Sequence, residues 1–237
     1  MKSVPMPFTL RALAALLGYP SEELQRHAGE LREAMRAEGV LPEAAQAGLK
    51  PLLRRLETWD LLDLQADYSD LFDRSRKLSL HLFEHVHGDN RERGQAMIDL
   101  GQQYVDAGFF LDGGELPDFL PVFLEFASCL PPAEAREMLA QPAHVYAALA
   151  ERLDKRKTPY AAIAHALVAL SGGKLDLEAL RELQEREPDE DPARIDEEWE
   201  EAPVTFNASA AHEMGGPTGV VAKIRASNRA VEKEAGR

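Results

Sequence analysis

Three observations predict an all-α fold. Apolar residues recur at three- and four-residue spacing along almost every segment of the first 185 or so residues. Runs of alternating β-branched residues, the mark of half-buried strands, are missing. Prolines, glycines and short polar residues punctuate the periodic segments, ending one helix and opening the next. At 237 residues the chain can bury a sizeable core without disulfides or metals.

The elements follow in order. Thr9 is placed to cap a first helix to about Leu17, with Leu10, Leu13 and Leu17 on one face and Gly18 and Pro20 as its stop. Ser21 caps a second helix carrying Leu24, Ala28, Leu31 and Met35. Pro42 suits the first turn of a third, which runs through Leu49, Leu52, Leu53 and Leu56. Thr58 is placed to cap a fourth, where Leu61, Leu62, Leu64, Tyr68, Leu71 and Phe72 form a broad apolar stripe. Leu78 to Val86 is a further apolar stretch closed by Gly88. Asp89 is placed to cap the long helix through Met97, Leu100 and Tyr104, which stops near Gly108.

Residues 111–118, LDGGELPD, hold two glycines and a proline and read as a loop. Asp118 is placed to cap the helix of Leu120, Phe123, Leu124 and Phe126, with Pro121 in its first turn. Three more helices follow, after Pro131 and Pro132, from Pro142 to about Arg156, and after Thr158 and Pro159; Asp176 caps a last one.

Beyond these the pattern changes. From Glu182 to Glu201 eleven acidic side chains stand against two basic ones, with Pro188, Pro192 and Pro203 precluding a long helix. Val204 to Arg237 is rich in Gly, Ala and Ser, with five Lys or Arg against three Glu. The organisation predicted is one helical-bundle domain over residues 1–186 and a disordered acidic linker and flexible tail over 187–237.

Charge narrows the function classes. With 41 acidic against 27 basic residues the formal charge is −14, which repels phosphate backbones and argues against nucleic acid as a partner. The single cysteine, Cys129, cannot form an intramolecular disulfide; beside Phe126, Ala127 and Leu130 it reads as a buried thiol in a reducing compartment. No stretch of about 18 consecutive apolar residues is present, so no stable membrane insertion is expected. The N-terminal Ala/Leu run is preceded by Pro5 and Pro7, interrupted by Arg11 and periodic as a helix, unlike a signal peptide; a cytoplasmic location is expected.

One motif has a catalytic form. His81, Glu84 and His85 spell H-x-x-E-H, in which two imidazoles one helical turn apart could share a zinc ion with Glu84 as general base. A third protein ligand is needed, and Glu134, Glu137 and Glu151 sit in no recognisable second motif. The alternative is a partly buried His pair on a helix whose Leu80, Leu82, Phe83 and Val86 supply core. No glycine-framed nucleophile turn or phosphate loop is present. The expectation is therefore no metal, no resident cofactor and no catalytic residues.

The stretch from Tyr68 to Phe126 contains YSDLFDRSRKLSLHLFEHVHGDNRERGQAMIDL followed by GELPDFLPVFLEF. It strongly resembles the NarJ family of respiratory nitrate reductase assembly chaperones, within the TorD and DmsD group of all-helical chaperones. The likeness covers roughly residues 8–185. It implies a non-enzymatic protein that binds the alpha (catalytic) subunit of nitrate reductase, partly through that subunit's N-terminal segment, a remnant of a twin-arginine leader. The subunit would be held open for insertion of its molybdenum cofactor, and of an iron-sulfur cluster, before it docks to the membrane. Chaperones of dimethyl sulfoxide or trimethylamine oxide reductase are the related alternative, which the LFEHVHG run disfavours; an H-x-x-E-H zinc peptidase is the alternative of another class. Monomer and weak dimer both stay open.

Two family motifs carry over. Y-x-x-L-F is Tyr68, Leu71 and Phe72, and the E-x-P-D-H loop of the wider group is Glu115, Pro117 and Asp118, with Phe119 where that group has His. Tyr68 shares a helix face with Leu71 and Phe72, so the three can line a groove for a client helix or lie in the core. Asp67, Asp70, Glu115 and Asp118 are the acids expected to attract a basic leader, and Asp118 is expected to cap a helix as well.

Overall fold

The computed structural model describes residues 4–87, 91–111, 114–172 and 175–185. The expected linker and tail over 187–237 lie outside the described residues, as do Gly88 and Asp89. Among the described residues the chain is all-helical: α1 (Pro7–Leu17), α2 (Glu22–Glu38), α3 (Glu43–Thr58), α4 (Leu61–Phe72), α5 (Leu82–His87), α6 (Arg91–Asp106), α7 (Leu120–Cys129), α8 (Pro132–Ala140), α9 (Ala143–Lys155), α10 (Ala161–Leu170) and α11 (Leu177–Glu185). A 3-10 turn at Arg76–Leu78 links α4 to α5.

The most apolar helices sit innermost. α1 buries Leu10, Leu13, Leu16 and Leu17 and packs on α2 and α7; α10 buries Ile163, Ala166, Leu167 and Leu170 and packs on α9 and α3. Each such leucine contributes roughly 2 kcal/mol of burial. Helices with one apolar stripe turn it inward, as α3 does with Leu49, Leu52, Leu53 and Leu56 where it packs on α2 and α10.

Several local expectations hold. The Ser21 hydroxyl accepts from Leu24 N–H at 3.1 Å and caps α2. Asp176 accepts from Glu178 N–H and Ala179 N–H and caps α11. Pro132 opens α8, and Pro42 stands one residue ahead of α3.

Others are corrected. Thr9 does not cap α1, which starts two residues earlier at Pro7 and takes its cap from elsewhere: the Glu38 carboxylate, at the end of α2, accepts from Phe8 N–H at 3.2 Å and Thr9 N–H at 2.7 Å. Gly39, at φ 66°, ends α2 directly after this glutamate. Thr58 is the last residue of α3, its hydroxyl donating back to Arg54 O, and Asp60 caps α4 through Leu62 N–H at 2.9 Å. The stripe of α4 is narrower than predicted, because Leu62 is 73% exposed at the first turn. Cys129 is exposed rather than buried: it ends α7 half a turn away from the face of Leu120, Leu124 and Ala127 that enters the core.

Candidate functional site

The Y-x-x-L-F residues lie inside the protein. Tyr68, Leu71 and Phe72 are all buried, and the Tyr68 hydroxyl donates to Leu17 O at 2.8 Å, tying α4 to the end of α1. Tyr68 stands edge-on to Tyr19 at 5.4 Å, and Phe72 edge-on to Tyr160 at 5.2 Å, where α10 begins. Burial, then Tyr160, Asp73 and Glu115, push the Tyr68 phenol well above its ordinary range. Glu115 is thus within electrostatic reach of Tyr68, which links the two family motifs. The expected groove lining is core in this structure, because the face shared by Tyr68, Leu71 and Phe72 is the face α4 turns inward.

The outward flank of α4 carries Asp63, Asp67 and Asp70, which with the cap residue Asp60 and Trp59 line an open trough of about 880 Å3. Most of this acid is already engaged. Asp67 pairs with Arg55 at 3.3 Å, Asp70 with Arg74 at 3.0 Å, and Asp60 is the α4 cap. The Arg55 guanidinium also lies 4.4 Å over the Trp59 ring.

The E-x-P-D loop is anchored at its C-terminal half. Glu115 is exposed, Pro117 half-buried and Asp118 fully buried. Tyr104 of α6 donates its hydroxyl to Pro117 O at 2.8 Å, and the Pro117 ring lies over Gly101. Asp118 does not cap α7, as its position ahead of that helix suggested; Phe119 stands there without a side-chain cap. The Asp118 carboxylate instead accepts from Phe83 N–H at 3.1 Å, while its main-chain carbonyl accepts from Leu82 N–H at 3.0 Å. It therefore caps α5, across 35 residues of sequence.

Three further groups complete the Asp118 environment. His81 Nδ1 lies 3.2 Å from Oδ1, and this hydrogen bond holds the His81 imidazole above its ordinary pKa. Arg93 of α6 stands 4.0 Å away and pairs with Glu84 at 3.0 Å. His81 also forms an isolated antiparallel bridge with Phe119, their rings 5.3 Å apart. Asp118 thus meets the imidazole of the residue whose backbone is bridged to position 119. A buried carboxylate with these donors is satisfied rather than strained.

The H-x-x-E-H residues are not arranged as metal ligands. His81 precedes α5 instead of lying on it, and faces Asp118. His85, buried, donates from Nε2 to Ser79 O at 2.8 Å and accepts at Nδ1 from Arg152 at 3.3 Å, so both its nitrogens are used. Burial chiefly, with Arg152 adding to it, lowers the His85 pKa to about 4. Glu84 is taken by Arg93. Among the described residues no group of three or more His, Cys, Asp or Glu could hold a metal ion.

A second groove, unforeseen in the sequence, runs between α6, α7 and α8 with a volume of about 660 Å3. Phe83, Leu100, Phe123, Phe126, Leu130 and Met138 give it an apolar lining. Asp99 and Asp106 edge one side and Glu134 and Glu137 the other. The sequence signal was the spacing: Asp99 and Asp106 stand seven apart on α6, and Glu134 and Glu137 three apart on α8, each pair beside inward apolar positions.

The chain is similar to several known proteins. A profile of the nitrate reductase delta subunit family matches residues 21–165. The chain belongs to that family. Within it, the nitrate reductase molybdenum cofactor assembly chaperone NarJ of Escherichia coli K12 is 43% identical over 197 residues, covering 83% of this chain and 84% of the relative. The probable chaperone NarW of the same strain is 37% identical, covering 85% and 86%. Probable NarJ of Bacillus subtilis 168 is 30% identical, covering 71% and 91%. A crystal structure of a putative redox enzyme maturation protein from Archaeoglobus fulgidus shares the fold, with a TM-score of 0.51 at 22% identity, covering 69% of this chain and 91% of that one. The relatives are assembly chaperones, not catalysts, and this delta-subunit-family chain is a chaperone of the NarJ type. Among its described residues no helix is long and apolar enough to cross a membrane.

Proposed function

We propose that this protein acts in the cytoplasm on the apo catalytic subunit of respiratory nitrate reductase, binding it partly through the N-terminal segment. The bound subunit stays competent for molybdenum cofactor insertion and is kept from docking early to its membrane partners. The observation that carries this reading is the 43% identity to NarJ over most of both chains. The chain's net charge of −14 supports it, since an acidic chain steers a basic leader-like peptide and raises its on-rate.

In this reading the family motifs act mostly from within. Tyr68, Leu71 and Phe72 hold α4 against α1 and α10, and Pro117 and Asp118 fix α5, α6 and the start of α7. Glu115 is the exposed member, free to meet a basic group. Release follows cofactor insertion, because the closed client no longer offers the segment the chaperone binds.

Titration calorimetry of the full chain with a synthetic peptide of the client's N-terminal segment tests the proposal. A Kd of about 1 μM or tighter is expected, weakening as salt is added. If neither the peptide nor the full apo subunit binds, the proposal fails.

A further inference from the structure

We infer that the corner between α3 and α4 is a two-fold interface for a second copy of this chain. The basic end of one copy's α3 meets the acidic start of the other's α4, with Trp59 at the centre. The assignment does not depend on which client the chain serves.

The corner holds a large aromatic ring outward. Trp59 N–H donates to Arg55 O at 2.9 Å and closes α3, while the Gln25 side chain of α2 donates to Leu56 O at 3.0 Å and to Trp59 O at 2.9 Å. The Arg55 guanidinium lies over the ring and is itself held by Asp67. Trp59 nevertheless stays 41% exposed, and Pro51, Leu62 and Ala66 near it are exposed as well. A fixed tryptophan stacked on an arginine loses little freedom when it is covered, which suits the anchor of an interface.

Charge decides what covers it. Two hollows flank Trp59 and share Thr58 with it. The one on the α3 side, about 350 Å3, is lined by Lys50, Pro51, Arg54 and Arg55; the one on the α4 side is the aspartate trough. Within one copy Arg55 cancels Asp67 and Arg74 cancels Asp70. Lys50 and Arg54 are left on one side and Asp60 and Asp63 on the other, none of them with an ion-pair partner among the described residues. A two-fold axis through Trp59 exchanges the sides, so the two cations of each copy lie on the two carboxylates of the other. An isologous contact needs a patch of this kind, one that is its own complement. A uniformly basic or uniformly acidic partner is repelled by one half of it, and an anionic membrane by the α4 half.

Sedimentation velocity of the full chain over a concentration series tests the inference, with melting curves to check each fold. Lys50, Arg54 and Asp63 are exposed, so charge reversal there should keep the helices intact. Expected is a reversible dimer with a Kd on the order of 10 μM, weakened as salt is added. Lys50→Glu/Arg54→Glu, Asp63→Lys and Trp59→Ala should each weaken it at least about tenfold. The two charge variants, mixed in equal amounts, should restore a heterodimer of near-parental affinity, because each reversed side then meets its opposite. Glu134→Lys, on α8, should leave the dimer within about twofold.

A chain that stays monomeric at every concentration overturns the inference. So does a dimer that survives both charge variants, or one that both disperse and mixing does not restore. Loss in the α3 variant alone would hand Lys50 and Arg54 to some other acidic surface, and the two-fold pairing falls.

Discussion

The Asp118 carboxylate caps α5 at Phe83, 35 residues upstream, at 3.1 Å. The same carboxylate meets His81 at 3.2 Å and lies fully buried. Three elements thus converge on one side chain: the bridge at His81, the first turn of α5 and, through Arg93, α6.

Asp118→Ala should therefore cost far more than loss of a surface cap. It removes an N-terminal acceptor and leaves the half-buried His81 imidazole without its acid, while Arg93 keeps Glu84, for a loss of about 3 kcal/mol in urea unfolding. Asp118→Asn keeps one acceptor and should lose about half as much. Equal, small losses would mean that the buried pair adds nothing.

Acid should destabilise the protein through His85. Its folded pKa of about 4 lies below the ordinary 6.5, so below pH 6.5 the unfolded chain binds a proton that the folded chain refuses. The contribution is whole above pH 6.5 and is lost as pH falls toward 4, up to about 3 kcal/mol. His81 has the opposite sign: its raised pKa stabilises below 6.5, and this fades as pH rises through the folded value. His85→Gln should flatten the acid limb of stability against pH; an unchanged limb would sink the assignment.

Thr9→Val should stabilise. The Thr9 hydroxyl is fully buried and has no hydrogen-bond partner among the described residues, and valine fills the same space without it. A gain of about 1 kcal/mol is expected in chemical unfolding. Glu38→Gln, by contrast, should lose about 1 kcal/mol by weakening the α1 cap.

Tyr68→Phe should separate the ring of this residue from its hydroxyl. The loss of the bond to Leu17 O costs about 1 kcal/mol, while Tyr68→Ala empties a buried aromatic site at about 4 kcal/mol. Client-peptide affinity should stay within about twofold for Phe and fall for Ala as α4 loosens. A large fall for Phe would mean that the hydroxyl meets the client.

Helix order was readable because apolar period and local punctuation are properties of neighbouring residues: Ser21 and Asp176 cap the helices that follow them. Thr9 and Asp118 misled because α1 and α5 take acceptors from Glu38 and Asp118, brought in by tertiary packing, whereas Thr58 lost to a nearer local rival, Asp60, two residues on. Spacing at Tyr68, Leu71 and Phe72 fixed a shared face but not its direction, since an inward and an outward aromatic face have the same period. The α6–α8 groove needed two helices placed side by side, and neither pair of carboxylates identifies it alone.

The remote cap also sets an order of events as the chain folds. A six-residue helix such as α5 is too short to persist on its own, and its first two amide hydrogens wait for an acceptor beyond α6. α5 must then form together with the 114–119 loop and the root of α7, as one cooperative unit. Native-state hydrogen exchange should show the amides of Leu82, Phe83 and Leu120 opening with a single free energy, above that of the rest of α5.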